Sequence, residues 1–235
     1  MNLDTLFSSF KQKIFDFLFP PHCISCGKGG AFFCRKCRSE LIYLQPPLCI
    51  RCSIPIRTGS ICHKCQSQIW DIDGIYSVFK YGGTIRQAIL QFKYENLKVL
   101  ADPLSDFMAE YVKQQQLSFD IIVPVPIHKR RLKERGYNQS LLLARKLSSL
   151  TRIPIAEGAL TRIRYTSPQA KSDNVDQRRK NIMNAFRCSS HGISGRRILL
   201  IDDVCTSGAT LNSCAGSLKA AGAASVWGLT LAKEI

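Results

Sequence analysis

The stretch ILLIDDVCTSGAT, from Ile198 to Thr210, decides the fold. Its four consecutive apolar residues, 198–201, predict a strand that is buried on both faces, as in a parallel sheet. Two carboxylates, Asp202 and Asp203, follow directly, and a turn of small residues then leads into a helix that opens near Thr210. Ligands of open α/β sheets bind at the carboxyl ends of the strands, so we expect a binding site where this strand ends.

The residues of this turn suit a phosphorylated sugar. A loop of small residues before a helix presents free backbone N–H groups to an anion, and hydroxyl side chains add donors at the same place. The two preceding carboxylates can accept hydrogen bonds from vicinal hydroxyls, with a metal ion nearby if one is bound. A phosphate on one side and a diol on the other describe a ribose 5-phosphate.

The segment resembles the ribose-phosphate signature of type I phosphoribosyltransferases, in which a hydrophobic strand and two acids precede a T-[TS]-G-x-T loop. The resemblance implies that Asp202 and Asp203 hold the ribose hydroxyls of phosphoribosyl pyrophosphate (PRPP), which binds with Mg²⁺. The residues implied to hold its 5-phosphate are Thr206, Ser207, Gly208, Ala209 and Thr210. The alternative is an ordinary strand, turn and helix whose acids cap the helix.

Eight of the eleven cysteines form four C-x-x-C knuckles between residues 23 and 65. Each knuckle can present two thiolates to one metal ion, and two knuckles complete a tetrahedral site, so the pattern indicates zinc rather than disulfides. The tandem repeat CISCGKGGAFFCRKC and CIRCSIPIRTGSICHKC favours pairing of neighbouring knuckles. The two expected structural zinc sites are Cys23, Cys26, Cys34, Cys37 and Cys49, Cys52, Cys62, Cys65. An interleaved pairing and an iron–sulfur cluster remain open at this point.

The composition predicts a basic protein that lacks a membrane-spanning helix. Among 235 residues, 33 are basic and 17 acidic, which gives a formal net charge of +16. This excess is typical of proteins with polyanionic partners such as nucleic acid, although a solvated basic surface has the same composition. No stretch reaches the length of a transmembrane helix. The absence of signal-peptide features, together with metal-type cysteines, predicts a cytoplasmic location.

Hydrophobic spacing divides the chain into three parts. Residues 1–19 carry an amphipathic helical stripe, expected to pack on the protein itself rather than on a membrane or a partner. Residues 20–70 form the double zinc ribbon and 71–235 an α/β domain. The strands predicted in this domain cover 75–81, 119–123 and 226–231, and the helices cover 84–94, 102–115 and a segment from 139. Lys93, near the end of the first of these helices, could reach an anion, but a solvated lysine is the favoured interpretation.

Two basic segments accompany the predicted site. The prolines of VPVP, 123–126, end a strand, and the following HKRRLKERGYNQS, 128–140, is predicted as a cationic loop for a pyrophosphate or a nucleic-acid backbone. The alternative for this segment is a solvated basic helix face. Its candidate pyrophosphate-binding residues are Lys129, Arg130 and Arg135. Residues 161–187 form a polar excursion, interpreted either as a lid over the site or as a surface insertion. Its lid candidates are Gln169, Arg178 and Asn181.

Together these features resemble the ComF/ComFC family, cytoplasmic proteins of bacterial competence. The marks are the cysteine knuckles, VPVP with RGYNQ, the run from Arg164 to Phe186, and IDDVCTSGAT. The implied fold class is α/β, a type I phosphoribosyltransferase-like parallel sheet flanked by helices, with a small N-terminal zinc-ribbon domain. The implied role is DNA uptake in natural transformation or the use of external DNA, with a protein of the uptake machinery as a further partner.

Two functions of different classes remain open. The first is a phosphoribosyltransferase with PRPP and Mg²⁺, in which carboxylates and cations stabilise an oxocarbenium-like state; Asp203 is a catalytic candidate and the acceptor is unassigned. The second is a non-catalytic module that binds single-stranded DNA or a protein. The bases of a bound DNA strand would stack on Tyr137 or Tyr165. Cys205 is expected to be a small apolar loop residue rather than a nucleophile.

Overall fold

The structure, a computed structural model, describes residues 21–164, 185–189 and 192–235. The predicted N-terminal helix and the lid candidates Gln169, Arg178 and Asn181 lie outside the described residues. Tyr165, one of the two predicted stacking residues, also lies outside them.

A parallel sheet forms the centre of the α/β part. Its strands are β1 (Gly74–Lys80), β2 (Ile121–Pro124), β5 (Arg197–Cys205) and β6 (Ser225–Lys233). They lie in the order β1-β6-β5-β2, and each neighbouring pair is parallel. Two short strands, β3 (Leu160–Arg162) and β4 (Phe186–Cys188), form a separate antiparallel pair.

Helices cover both faces of this sheet. The longer ones are α3 (Gly83–Tyr94), α4 (Ala101–Gln114), α6 (Gln139–Thr151) and α7 (Ala209–Ala220). The shorter ones are α1 (Arg35–Ser39), α2 (His63–Gln66) and α5 (Lys129–Arg135).

The buried residues of β5 divide the hydrophobic core into two layers. Leu199 and Ile201 pack with side chains of α3, α4 and α6, whereas Ile198 and Leu200 pack with side chains of α7. All four are fully buried, as the apolar run predicts for a strand covered on both faces. This double burial fixes the carboxyl end of β5 as the place where the chain reaches solvent.

Two local expectations are wrong. β5 continues beyond the apolar run, because its pairing with β6 extends to Cys205, so Asp202 and Asp203 lie within the strand rather than after it. The basic segment predicted as a loop contains a helix, α5. The His128 side chain caps its first turn by accepting a hydrogen bond from the Arg130 N–H group.

The N-terminal ribbon packs against the exposed edge of β1. The backbone N–H of Leu44 donates to the carbonyl of Val78 at 3.0 Å, and that of Lys80 donates to Ile42 at 2.9 Å. These bonds occupy donors and acceptors that an edge strand would otherwise leave unpaired.

The described residues confirm the predicted fold class, an α/β domain built on a parallel sheet flanked by helices and joined to an N-terminal zinc ribbon. None of the helices in the described ranges is long and apolar enough to span a bilayer.

Candidate functional site

Two groups of four cysteines each bring their sulfur atoms together. Within a group, all four Sγ atoms lie within 4.8 Å of one another, and the Sγ–Sγ distance is 3.7 Å for Cys26 and Cys34 and 3.8 Å for Cys52 and Cys62. A tetrahedral site with Zn–S bonds of about 2.3 Å requires sulfurs about 3.8 Å apart, so both groups fit zinc. The groups are Cys23, Cys26, Cys34, Cys37 and Cys49, Cys52, Cys62, Cys65, which confirms the sequential pairing.

Backbone hydrogen bonds favour the thiolate form of one cysteine in each group. The N–H of Cys34 donates to Cys23 Sγ at 3.5 Å, and the N–H of Cys62 donates to Cys49 Sγ at 3.3 Å. Burial alone would raise the pKa of both thiols, but backbone hydrogen bonds lower the pKa of Cys23 to about 6 and that of Cys49 to about 7. Four sulfur ligands complete each tetrahedron, which is typical of structural zinc.

At the carboxyl end of β5, the two acids contact different partners. Asp202 Oδ1 accepts a hydrogen bond from Ser140 Oγ at 2.9 Å and another from the backbone N–H of Asp203 at 2.9 Å. Asp203 Oδ1 lies 2.7 Å from Lys93 Nζ in a largely buried ion pair. The ends of α3 and α6 therefore meet at the acid pair.

The expectation that Lys93 is solvated is wrong. Its side chain is only 19% exposed, because α3 ends directly beside the acids. Burial would lower the pKa of this lysine, but the charge and hydrogen bond of Asp203 and the charge of Asp202 raise it, so the ammonium form persists. No periodicity in the sequence distinguishes Lys93 from a surface lysine at a helix end.

Asp202 has an unusual protonation equilibrium. Burial and the charge of Asp203 raise its pKa to about 7, against the opposing effects of Lys93 and the Ser140 hydrogen bond. At neutral pH the carboxyl group is therefore divided between its neutral and ionised forms. A cation or hydroxyl donor placed beside it would favour the ionised form.

The loop after β5 depends on a glycine. Gly208 has φ of 78°, and a Cβ atom at this position would lie only 3.0 Å from the Trp70 ring. Gly208 caps α7 and has no side chain to accept a hydrogen bond, and the N–H of Ala209 donates to Ser207 Oγ at 3.4 Å. Of the predicted phosphate-binding residues, Thr206, Ser207 and Gly208 form the bend, and Ala209 and Thr210 are the first residues of α7.

A buried lysine that the sequence did not suggest supports the loop from the end of β6. Lys233 is 3% exposed, and its Nζ donates to the backbone carbonyls of Cys205, Thr206 and Glu234. These bonds satisfy carbonyl groups at the start of the loop and place a positive charge beneath it. Cys205 is buried, and burial raises the pKa of its thiol to about 11, as expected for an apolar residue; it is the last residue of β5, however, and not a loop residue as predicted.

A basic cleft of about 500 Å³ opens beside the Lys93 end of the acid pair. Arg135 lines this cleft; its guanidinium donates to Gln139 Oε1 at 3.2 Å and lies 5.0 Å from the centre of the Tyr94 ring. Lys129 and Arg130, the other two pyrophosphate candidates, do not line it. The charged residues of the cleft are Lys93, Lys98, Arg131, Lys133, Glu134 and Arg135.

The linker after the ribbon holds the helix that follows the loop. Asn212 Oδ1, on α7, accepts hydrogen bonds from the backbone N–H groups of Asp71 and Ile72 at 2.7 and 3.1 Å. Trp70 packs against the second cysteine group as well as against Gly208. Trp70 therefore contacts both the second cysteine group and the loop. In the sequence it marks only the boundary between the ribbon and the α/β domain.

The architecture defines a class of protein in which a double zinc ribbon precedes an α/β domain with an acid pair at the end of its central strand. A family model described as "Double zinc ribbon domain" matches residues 14–66. The chain belongs to the ComF/ComFC family of competence proteins.

Three relatives illustrate this membership. Competence protein F of Haemophilus influenzae is 30% identical over 226 residues, which cover 86% of this chain and 97% of that protein. Competence protein ComFC of Bacillus subtilis is 29% identical, with 86% and 84% covered. DNA utilization protein YhgH of Escherichia coli K12 is 31% identical, with 82% and 86% covered.

Solved structures with a similar fold are more distant. The glutamine PRPP amidotransferase of B. subtilis has a TM-score of 0.42 and 16% identity, covering 60% of this chain and 30% of that one. The purine phosphoribosyltransferase of Pyrococcus horikoshii has a TM-score of 0.35 and 18% identity, covering 59% and 83%. These likenesses concern the fold alone.

The two cysteine groups predict the metal content. The purified protein should contain about two zinc ions per chain, and Cys52→Ser should lower this to about one, because three thiolates hold zinc less tightly than four. Cys188→Ser, which changes a cysteine outside both groups, should leave the content unchanged. Inductively coupled plasma mass spectrometry measures the ratio, and a Cys52→Ser protein that retains both ions would contradict the assignment.

The raised pKa of Asp202 predicts a pH-dependent change in stability. The folded-state value of about 7 lies above the ordinary value of 3.8, so the stability that this carboxyl contributes is fully present below the lower value and is lost as pH rises through the higher one. Asp202→Asn should therefore raise Tm by about 5 to 10 °C more near pH 8 than near pH 5.

The matched control for this measurement is Asp120→Asn. Hydrogen bonds from Arg197 lower the pKa of Asp120 to about 2, so this change should lower Tm at both pH values. Differential scanning fluorimetry gives the four differences. An equal Tm shift for Asp202→Asn at both pH values would show that its carboxyl titrates normally.

Proposed function

We propose that this protein is a cytoplasmic PRPP-binding protein that acts on, or responds to, DNA taken up from outside the cell. The observation that carries the proposal is one juxtaposition. The hydroxyl-rich bend directly follows the strand that carries the acid pair, and Lys93, which lines the basic cleft, contacts Asp203. The names of the relatives, competence protein and DNA utilization protein, support the part that concerns DNA.

The parts of PRPP match the parts of this site. The 5-phosphate accepts hydrogen bonds from the N–H groups and hydroxyls of 206–210, above the buried ammonium of Lys233. The ribose hydroxyls donate to Asp202 and Asp203, and the pyrophosphate extends towards Arg135. Carboxylate and phosphoryl oxygens are the ligands that Mg²⁺ prefers, and the ion would neutralise part of the pyrophosphate charge.

Binding is better supported than transfer. Phosphoribosyl transfer breaks the bond between the anomeric carbon and pyrophosphate and forms a bond to an acceptor, whose proton a base must accept. Asp203, the catalytic candidate, is already held by Lys93, and Asp202 is engaged by Ser140. A sensor or scaffold that binds PRPP needs no base, and the phosphoribosyltransferase-like fold is compatible with either role.

Isothermal titration tests PRPP binding. PRPP with Mg²⁺ should release or absorb heat on mixing with the protein, and the double change Asp202→Ala, Asp203→Ala should abolish the signal, because the ribose loses both acceptors. The matched control is Asp102→Ala with Asp106→Ala, which removes two exposed acids of α4 and leaves the site intact. A wild-type protein that gives no heat at any tested concentration and temperature overturns the proposal.

A second function, binding of single-stranded DNA, is favoured by one exposed aromatic residue. Tyr94 is 67% exposed, lies at the wall of the basic cleft and has the Arg135 guanidinium over its ring. Such a pairing of cations with an aromatic face suits a stacked base and its backbone. The prediction that a base stacks on Tyr137, one of the two predicted stacking residues, is wrong, because this side chain is buried and its hydroxyl donates to the carbonyl of Phe92.

Fluorescence anisotropy with a labelled oligothymidylate tests this second function. The logarithm of the binding constant should fall steeply with the logarithm of salt concentration, because phosphate contacts release counterions. Tyr94→Ala should weaken binding by about tenfold, whereas Tyr94→Phe, which keeps the stacking face, should bind as the wild type does. A flat salt dependence would count against a DNA-binding role, and equal binding by both variants would remove Tyr94 from it.

A further inference from the structure

We propose that Lys93 determines ligand specificity at this site, selecting ribose phosphates that carry a pyrophosphate over ribose 5-phosphate itself. The inference rests on the proposed function and adds to it a residue outside the loop and acid pair. The ammonium group of Lys93 forms an ion pair with Asp203, and Lys93 also lines the basic cleft.

The position of Lys93 follows from the packing of α3. Buried residues of this helix, among them Ile89 and Phe92, fix it in the core, so its last turn ends beside β5. The Lys93 Nζ then lies 2.7 Å from Asp203 Oδ1, with little exposure of either side chain. A buried ion pair of this kind holds the long lysine side chain in one conformation, whereas a solvated lysine samples many conformations.

The charges on the cleft side are not balanced by its acid. Arg135 lines the same cleft, and its positive charge opposes that of Lys93. Glu134, the acid that lines the cleft, already lies 3.2 Å from Arg130 in an ion pair. Two cations that line one cleft repel each other, and an anion bound in the cleft would reduce that repulsion.

The two ends of the ligand would meet different residues. Ribose 5-phosphate uses residues 206–210 and the acid pair, and these contacts are the same for any ribose phosphate. A pyrophosphate on the anomeric carbon adds the group that reaches Lys93 and Arg135. The ammonium of Lys93 therefore improves binding only when this second anionic group is present, which is the requirement for selection.

The experiment compares three ligands on the full-length, zinc-loaded protein. PRPP with Mg²⁺ is titrated directly, and inorganic pyrophosphate and ribose 5-phosphate are measured as competitors. Lys93→Met should weaken PRPP and pyrophosphate by about tenfold, as expected for loss of a charge-assisted hydrogen bond, and should change ribose 5-phosphate by less than about threefold. Lys93→Arg, which keeps the charge, should restore most of the preference.

Two further variants separate specificity from folding. Lys93→Gln keeps a donor for Asp203 without the charge, so it should show the same selective loss even if Lys93→Met is unstable. Lys146→Met removes the lysine of another lysine–aspartate ion pair, with Asp102 at 3.1 Å on the surface, and should change none of the three affinities. Zinc content and Tm are recorded for each protein before titration.

The outcomes distinguish this inference from the proposed function. If the wild type binds no PRPP, the proposed function fails and the inference fails with it. If the wild type binds PRPP but the charge-removing variants weaken all three ligands equally, the proposed function stands and the inference is overturned, because Lys93 then only positions Asp203. A selective loss for the two pyrophosphate-containing ligands supports the inference.

Discussion

The mutual repulsion of Asp202 and Asp203 is the constraint on which the rest of the site depends. Two adjacent carboxylates at the end of a buried strand are unfavourable unless their charge is compensated or one of them holds a proton. The structure does both. Lys93 compensates the charge of Asp203 in a short ion pair. Burial raises the pKa of Asp202 to about 7, and the Ser140 hydroxyl donates a hydrogen bond to its carboxyl group. Free energy stored in such an arrangement is available to a ligand that relieves it.

The fold supplies these compensating groups from separate elements. α3 brings the lysine, α6 brings the serine at its first turn, and β6 brings Lys233 under the following bend. Each element is anchored by core residues that have no part in the site, so the functional atoms are positioned by packing at a distance. A parallel sheet makes this convergence natural, because its strands all end at the same edge.

The sequence predicts those elements that depend on short-range sequence patterns. The apolar run before the acids, the small residues of the bend and the repeated knuckle spacing each encode a structure within a few residues, and the strand, the helix α7 and both cysteine groups are confirmed. The burial of Lys93 beside Asp203 and the roles of Ser140 and Lys233 are not predictable from the sequence, because they arise only from long-range packing. The helix α5 was missed for a different reason. The prolines before this segment favour a loop, whereas Gly136, in the left-handed conformation that commonly ends helices, is the signal for the end of α5.

The contact between the ribbon and β1 has a consequence beyond architecture. Because the ribbon is a small segment with few apolar residues of its own, its shape depends on the metal, and so does its hold on the sheet edge. A chain that lost zinc would leave the β1 backbone groups now paired with Ile42 and Leu44 open to a neighbouring molecule. The ribbon that the metal would hold in shape therefore covers this edge of β1 and prevents it from pairing with another chain.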